Sequence, residues 1–436
     1  MYSDKTAAHM KKKGIGIGDT ISIEHNGRRY EGVLLENASK ETDVLQIKLG
    51  SGYNVGLKFN ESLALVSKGE KKAPAKAEDA GNDDGAMTSL LLFGGTISSK
   101  VEYKTGAVFP SITPKEMGEA FPEMHQWGRV NLRSVFTVLS EDMNTRHWEI
   151  MGKEVYNELK KGGGVVATHG TDTMGYSAAA LALMIRNPSG PIVLTGAQRS
   201  SDRGSSDNRE NLLNSIYYSV KGRSGVYVCM HATMDDNYAH VHLGTRVRKM
   251  HTSRRDAFRS INALPVAEVS HREGMINYLC RNGVQRGDME LNTKFSDNVA
   301  LIYIYPGIKP ELVKSLSKYD GVVFAGTGLG HVPSNPFGDK LATPIIKEIA
   351  GLISSGVHVA VAPQTINGRI NLNVYTAGRM LKEAGVMGHL CDWLPETAFV
   401  KLSWVLGQTK DAKKVEKMMY TNYAGEIGER SLPEHF

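Results

Sequence analysis

The sequence predicts an α/β protein of two lobes built on parallel sheets, preceded by a small all-β barrel. Three observations carry this. A polar stretch at 68–87 splits the chain. Ahead of it, short runs rich in β-branched residues alternate with turn signals. Behind it, short apolar runs ending in Gly or Thr alternate with amphipathic stretches of helical period.

Length and charge set outer bounds. The chain has 436 residues, with 52 Lys and Arg against 46 Asp and Glu, a net charge of +6. At roughly 100–200 residues per domain, this predicts a few domains, each able to bury a core without staples. No apolar run approaches the ~20 residues that span a bilayer, so a membrane protein is not expected. The first 14 residues carry charge with no apolar core behind them, which argues against a secretory signal. Three widely spaced cysteines, Cys229, Cys280 and Cys391, predict a reducing, cytoplasmic setting and no disulfide framework. No CxxC or HExxH motif suggests a metal. The mild basic excess permits nucleic acid, but a solvated Lys-rich surface explains it as well.

In chain order, strands are expected near 19–25, 29–36, 44–49, 53–58 and 62–66. Asn26-Gly27 marks a two-residue hairpin turn. This front part, 1–67, has no cluster of His, Cys or paired carboxylates and reads as a docking module or spacer. The linker at 68–87 is rich in Lys, Asp, Ala and Gly and lacks the apolar surface to order itself. The first lobe, 88–285, begins with the apolar runs Ser89–Phe93, Val135–Leu139, Gly164–Thr168, Pro191–Leu194 and Val226–Cys229. Helical patterns at 174–186 and 209–221 lie between them. A polar join over 280–297 leads to the second lobe, 298–436, where Val299–Tyr305, Gly321–Ala325 and Val357–Ala362 repeat the pattern.

In such sheets, sites form past the carboxyl ends of the strands. Four loops stand there: Gly94-Gly95-Thr96, Ser140-Glu141-Asp142-Met143, His169-Gly170-Thr171-Asp172-Thr173, and Thr195-Gly196-Ala197-Gln198. Hydroxyls among glycines suit attack on a carbonyl, with free amides holding the oxyanion. Phosphate is the competing ligand, but no phosphate-loop pattern is complete. Gly326-Thr327-Gly328-Leu329-Gly330 has its third glycine one place early for a dinucleotide fingerprint. A threonine nucleophile needs a base, and the stretch 246–256 offers several cations among which composition does not choose. Read alone, that stretch is a solvated basic loop or an RNA-facing patch. Thr96, Thr171 and Asp172, taken singly, read as helix caps.

Taken together and in order, these motifs resemble the L-asparaginase/glutaminase family over about 88–436. The family's fold would then be the two-lobed one expected above. The resemblance rests on Gly94-Gly95-Thr96-Ile97, Ser140-Glu141-Asp142-Met143, His169-Gly170-Thr171-Asp172-Thr173-Met174 and Lys249. Pro395-Glu396-Thr397 and 401–407 extend it through the tail. It implies that Thr96 attacks a side-chain amide. Thr171, Asp172 and Lys249 would form a second triad, with lysine as base; which threonine attacks first stays open. Ser140 and Glu141 would hold the α-amino and α-carboxyl ends of the amino acid, beside Gly95. The family's loop tyrosine has no clear counterpart: Tyr103 lies early, and Phe109 sits nearer the usual position.

The added front barrel resembles that of the glutamine-hydrolysing subunits of archaeal glutamyl-tRNA(Gln) amidotransferases. It implies hydrolysis of glutamine or asparagine to supply ammonia. A partner E subunit would use ATP and Mg²⁺ to convert Glu-tRNA(Gln) to Gln-tRNA(Gln). No cofactor is expected in this chain, and a homodimeric core is. A stand-alone asparaginase/glutaminase is the alternative, and a non-catalytic amino-acid-binding scaffold is a third reading that the retained threonines and lysine oppose.

Overall fold

The computed structural model describes residues 2–35, 42–50, 54–68, 87–95, 99–101, 108–110, 114–199, 206–280 and 287–435. The expected linker falls, from 69 to 86, outside them.

The front part is not wholly β. It opens with α1 (Asp4–Lys12), where only strands were expected. The Ser3 hydroxyl accepts from Thr6 N, Asp4 lies in the first turn, and Lys11 and Lys12 lie in the last. Cap and dipole thus both favour a helix there. Five antiparallel strands follow: β1 (Thr20–His25), β2 (Arg28–Leu34), β3 (Val44–Leu49), β4 (Asn54–Lys58) and β5 (Ala64–Ser67), in the order β4-β3-β2-β1-β5. Asn26 and Gly27 both take positive φ, as the hairpin turn requires. Alternate residues Ile21, Ile23, Leu45, Ile47 and Leu57 meet Met10 of α1 and Ile15 in one core.

The first lobe runs β6 (Met87–Gly94), the hairpin β7 (Ser99–Val101) and β8 (Val108–Pro110), α2 (Pro114–Ala120), β9 (Arg129–Val138), α3 (Thr145–Leu159) and β10 (Gly164–Thr168). It continues through α4 (Met174–Met184), β11 (Ile185–Arg186), β12 (Pro191–Thr195), α5 (Asn208–Lys221) and β13 (Gly225–His231). It ends with β14 (Ala239–Leu243), β15 (Val247–Lys249), β16 (Phe258–Ser260), β17 (Ala267–Ser270) and β18 (Met275–Tyr278). The main sheet has the order β18-β17-β14-β13-β12-β10-β6-β9. From β9 to β13 the pairs are parallel, as expected. Strands β10 and β12 are buried throughout, the pattern of strands covered on both faces.

The sheet is mixed, not wholly parallel: β14, β17 and β18 add antiparallel strands. Only seven residues, 232–238, join β13 to β14. That is too short for a crossover helix, so the chain must turn back.

The join carries β19 (Glu290–Leu291), and the second lobe comprises β20 (Val299–Tyr303), α6 (Pro310–Lys314), β21 (Gly321–Gly326), α7 (Ile346–Ser354), β22 (His358–Pro363), α8 (Thr376–Glu383), α9 (Pro395–Gln408) and α10 (Ala412–Tyr420). Strands β20, β21 and β22 form a parallel sheet. The join at 280–297 is more than a polar connector, because β19 pairs with β11. Helix α4 accordingly stops at Met184, short of the expected 186. One core spans both lobes, running from Leu91 and Val165 through the Ala-rich α4 to Leu402 and Trp404 of α9, and on to Val323 and Ala360. Helices buried on all sides, as α4 and α9 are, mark the seam between layers.

Candidate active site

The strand order decides where the loops meet. Strands β9, β6 and β10 are neighbours and parallel, so their carboxyl ends deliver Ser140, Gly94-Gly95 and His169–Thr173 side by side. Two glycines make the close approach possible. A Cβ on Gly95, at φ +89, would lie 2.5 Å from Gly170 N, and one on Gly170 would lie 2.7 Å from Ser140 Cβ. Neither gap admits a side chain. The Thr173 hydroxyl donates to Ser140 O at 2.6 Å and ties two of the loops together.

Thr171 and Asp172 do not cap α4. Its N-cap residue is Thr173, with no side-chain cap bond. Instead, Lys249 Nζ donates to Thr171 Oγ1 at 2.9 Å and to Asp172 Oδ1 at 2.8 Å. Thr171 is buried and the Lys249 side chain is 12% exposed, while that of Asp172 is 67% exposed. The ammonium therefore bridges an enclosed hydroxyl and an open carboxylate. Ser140 is buried and its hydroxyl donates to Glu141 Oε2 at 3.3 Å, with Glu141 exposed. Thr96, Tyr103 and the side chain of Phe109 lie outside the described residues.

Lys249 ends β15, which pairs with β16 as a hairpin with Lys249 opposite Phe258. A nearby arginine anchors it. Arg246 is buried and donates to Gly425 O at 2.7 Å, to Asp392 O and to Asp392 Oδ1. Arg248 pairs with Glu396 at 3.1 Å, and Arg254 with Asp256 at 2.8 Å. Arg255 is buried against Asp236. The stretch 246–256 is thus not the solvated or RNA-facing patch its charge suggested. Its cations are mostly spent inside the protein.

His169 is buried, and both ring nitrogens are engaged. Nδ1 donates to Gly170 O at 2.6 Å, and Nε2 accepts from Ser177 Oγ at 2.7 Å. Trp148 Nε1 in turn donates to Ser177 Oγ at 2.9 Å. Burial lowers the imidazole pKa to about 4, so it is neutral near pH 7 and holds the loop. The sequence does not point to Ser177 or Trp148, because single polar positions within helices α4 and α3 carry no catalytic pattern. Among the described residues, no three of His, Cys, Asp and Glu converge to hold a metal ion. Among them, too, no helix is long and apolar enough to cross a membrane.

Comparison with known proteins agrees with this layout. The family model described as Asparaginase, N-terminal matches 88–280, and Glutaminase/Asparaginase C-terminal domain matches 298–419. The L-asparaginase of Thermococcus kodakarensis superposes with a TM-score of 0.71 at 28% identity, covering 79% of this chain and all of that one. L-asparaginase I of Vibrio cholerae gives 0.68 at 25% identity, covering 79% of this chain and 99% of that one. Fold and loops together are those of the asparaginase/glutaminase class. The front sheet narrows this further, since 15–66 match the GatD N-terminal domain. The D subunit of the glutamyl-tRNA(Gln) amidotransferase of Methanobrevibacter smithii is 42% identical over 100% of this chain and 99% of its own. Its counterpart in Pyrococcus furiosus is 42% identical over 98% of each. The chain belongs to the family of glutamyl-tRNA(Gln) amidotransferase D subunits.

Proposed function

We propose that this chain hydrolyses the side-chain amide of glutamine, or of asparagine, and supplies the ammonia for converting Glu-tRNA(Gln) to Gln-tRNA(Gln). The observation that carries the chemistry is Lys249 Nζ, bonded at once to Thr171 Oγ1 and Asp172 Oδ1. That is the reach of a general base from a hydroxyl. Once deprotonated, Lys249 can take the threonine proton, and Asp172 stabilises the resulting ammonium.

In the proposed sequence a threonine oxygen, Thr96 or Thr171, bonds to the amide carbon. The C–N bond then breaks, and nitrogen leaves as ammonia with the proton returned to it. Water cleaves the resulting ester to give the free acid and restore the hydroxyl. Backbone amides around Gly95 and Gly170 are suited to the developing oxyanion. Ser140 and Glu141 are suited to the α-amino and α-carboxyl groups, with Asp172 exposed on the ammonium side.

The partner in this reading is an E subunit that uses ATP and Mg²⁺ on Glu-tRNA(Gln), beside a homodimeric core in the cytoplasm. The test is ammonia release from glutamine and asparagine by the chain alone, then with an E subunit, Glu-tRNA(Gln) and ATP. Release that rises with partner and tRNA is expected. Fast release by the chain alone, unmoved by either, would make it a stand-alone amidohydrolase.

A further inference from the structure

The front sheet touches the catalytic lobe at a charged hub. Lys48, on β3, places Nζ 3.1 Å from Asp236 Oδ2. The Asp236 side chain is 5% exposed, and its other oxygen accepts from Arg255 Nη1 at 2.6 Å. His231 Nε2 faces the same oxygen at 3.3 Å. Burial disfavours the Asp236 anion, but His231, Lys48 and Arg255 outweigh it and hold the carboxyl well below its usual range.

Two branches leave this hub, and both reach the site. Arg255 lies in 250–257, the loop of the hairpin that carries Lys249, and its other terminal nitrogen donates to Met234 O. Met250 N donates to Ala257 O at 2.7 Å, so the loop is closed tightly onto Lys249. On the second branch, His231 Nδ1 meets Asn211 Oδ1 at 2.6 Å, and Asn211 Nδ2 donates to Gly196 O at 2.9 Å. Gly196 is pressed onto the Thr171 loop: a Cβ there would lie 2.5 Å from His169 O and 3.2 Å from Thr171 Cγ2.

Charge balance separates the roles within the hub. Arg255 and Asp236 are both buried and neutralise one another, so the lobe needs that pair for its own folding. Lys48 is a second cation on the same carboxylate, one-third exposed and borne by a different sheet. Its charge is surplus to the lobe's balance.

We propose that Lys48 is a positioning residue: through Asp236 it seats the front sheet against the Lys249 hairpin and the Thr171 loop, making that sheet a working part of the amide-hydrolysing site. This rests on the function proposed above. The test uses the full chain with its partner subunit, comparing wild type with Lys48→Met and Lys48→Arg. Lys48→Met should lower kcat for amide hydrolysis about tenfold with KM within about twofold, since small misplacements of a catalytic group cost ~10–100-fold. Lys48→Arg, which keeps the charge, should recover most of the rate. Amide hydrogen exchange over 247–258 should quicken in Lys48→Met and return to wild type in Lys48→Arg. Wild-type kcat and exchange in Lys48→Met would overturn the proposal. So would slowing that Lys48→Arg fails to relieve, with exchange raised across the front strands instead. Should wild type hydrolyse neither amide, the function fails, while exchange over 247–258 still decides whether Lys48 holds the hairpin.

Discussion

Each lobe has a central strand that ends in a glycine- and threonine-rich loop. Strand β10 lies between β6 and β12, and β21 between β20 and β22. After β10 comes His169-Gly170-Thr171, and after β21, which ends at Gly326, comes Thr327-Gly328-Leu329-Gly330. Their polar groups go to different uses. The second loop closes on itself: Thr327 N donates to His331 O at 2.9 Å, its hydroxyl donates to the same oxygen, and His331 N donates back to Thr327 O. A Cβ on Gly326 would meet Gly330 backbone at 2.7 Å. The first loop leaves Thr171 for a lysine 78 residues away. A hydroxyl in a glycine loop at a strand end is therefore not enough. The chemistry depends on whether a distant side chain arrives to use it.

The sharpest way to break this contrast is to remove the arriving group. Lys249→Met should slow amide hydrolysis by ~10²–10⁴-fold, the usual loss on deleting a positioned base, with the fold intact. Added ammonia should restore amidation by the assembled complex. Thr171→Ala and Thr96→Ala should each abolish hydrolysis, whereas Thr327→Ala should leave kcat/KM at wild type. Retained hydrolysis in both of the first two would sink the mechanism, and a slow Thr327→Ala would erase the contrast between loops.

A finer cut uses glycines. Gly170→Ala forces a methyl against Ser140 and should cost roughly tenfold or more in kcat/KM, because neither backbone can yield without moving the site. Gly328→Ala meets nothing within 4 Å, though its φ is +51. It should cost about 1 kcal/mol of stability, the strain of a Cβ in the left-handed region, with no loss of activity. Steady-state kinetics and urea melts on the two variants check the pair.

pH sharpens the comparison at the level of stability. His169 binds a proton at about 4 when folded, against 6.5 otherwise, because burial penalises its charged form. The unfolded chain thus takes up the proton first. Stability is full above pH 6.5 and declines as pH falls toward 4, by roughly 3 kcal/mol at most for this group. Buried His242 titrates in the same sense. His169→Asn should remove one proton's share of the slope in urea unfolding between those pH values; an unchanged slope would mean that His169 is already charged in the fold.

The smallest effect is expected farther from the site. Burial opposes ionisation of Glu210, but hydrogen bonds from His271 and Arg272 prevail and hold it at about 2, below the ordinary 4.5. Its stabilisation is present above pH 4.5 and lost as pH falls toward 2. Glu210→Gln should lower the melting temperature modestly at neutral pH, with the gap to wild type closing as pH falls from 4.5 toward 2, and leave hydrolysis nearly untouched.

Much of the architecture was legible because it is local. Continuous apolar runs such as Gly164–Thr168 have to be buried on both faces, and Asn26-Gly27 has to turn. Helix α1 is hard to read from sequence because its cap, Ser3, and its charges are short-range signals in a stretch with little apolar surface. The antiparallel strands β14, β17 and β18 escaped because pairing partners cannot be read from one strand. The arginines of 246–256 look solvated in sequence for the same reason: the carboxylate and carbonyl partners of Arg246 lie 146 and 179 residues away.

The sequence alone determined the α/β class, the loops with their glycines and hydroxyls, and the ordered motifs of the family. Each of those follows from neighbours along the chain. Only the tertiary structure decided that Lys249 reaches Thr171 and that the front sheet bears on Asp236. A hydrogen bond requires approach to about 3 Å. Here that approach is set by Arg246 pinned to the second lobe, by glycines that let loops touch, and by the order in which the strands pair.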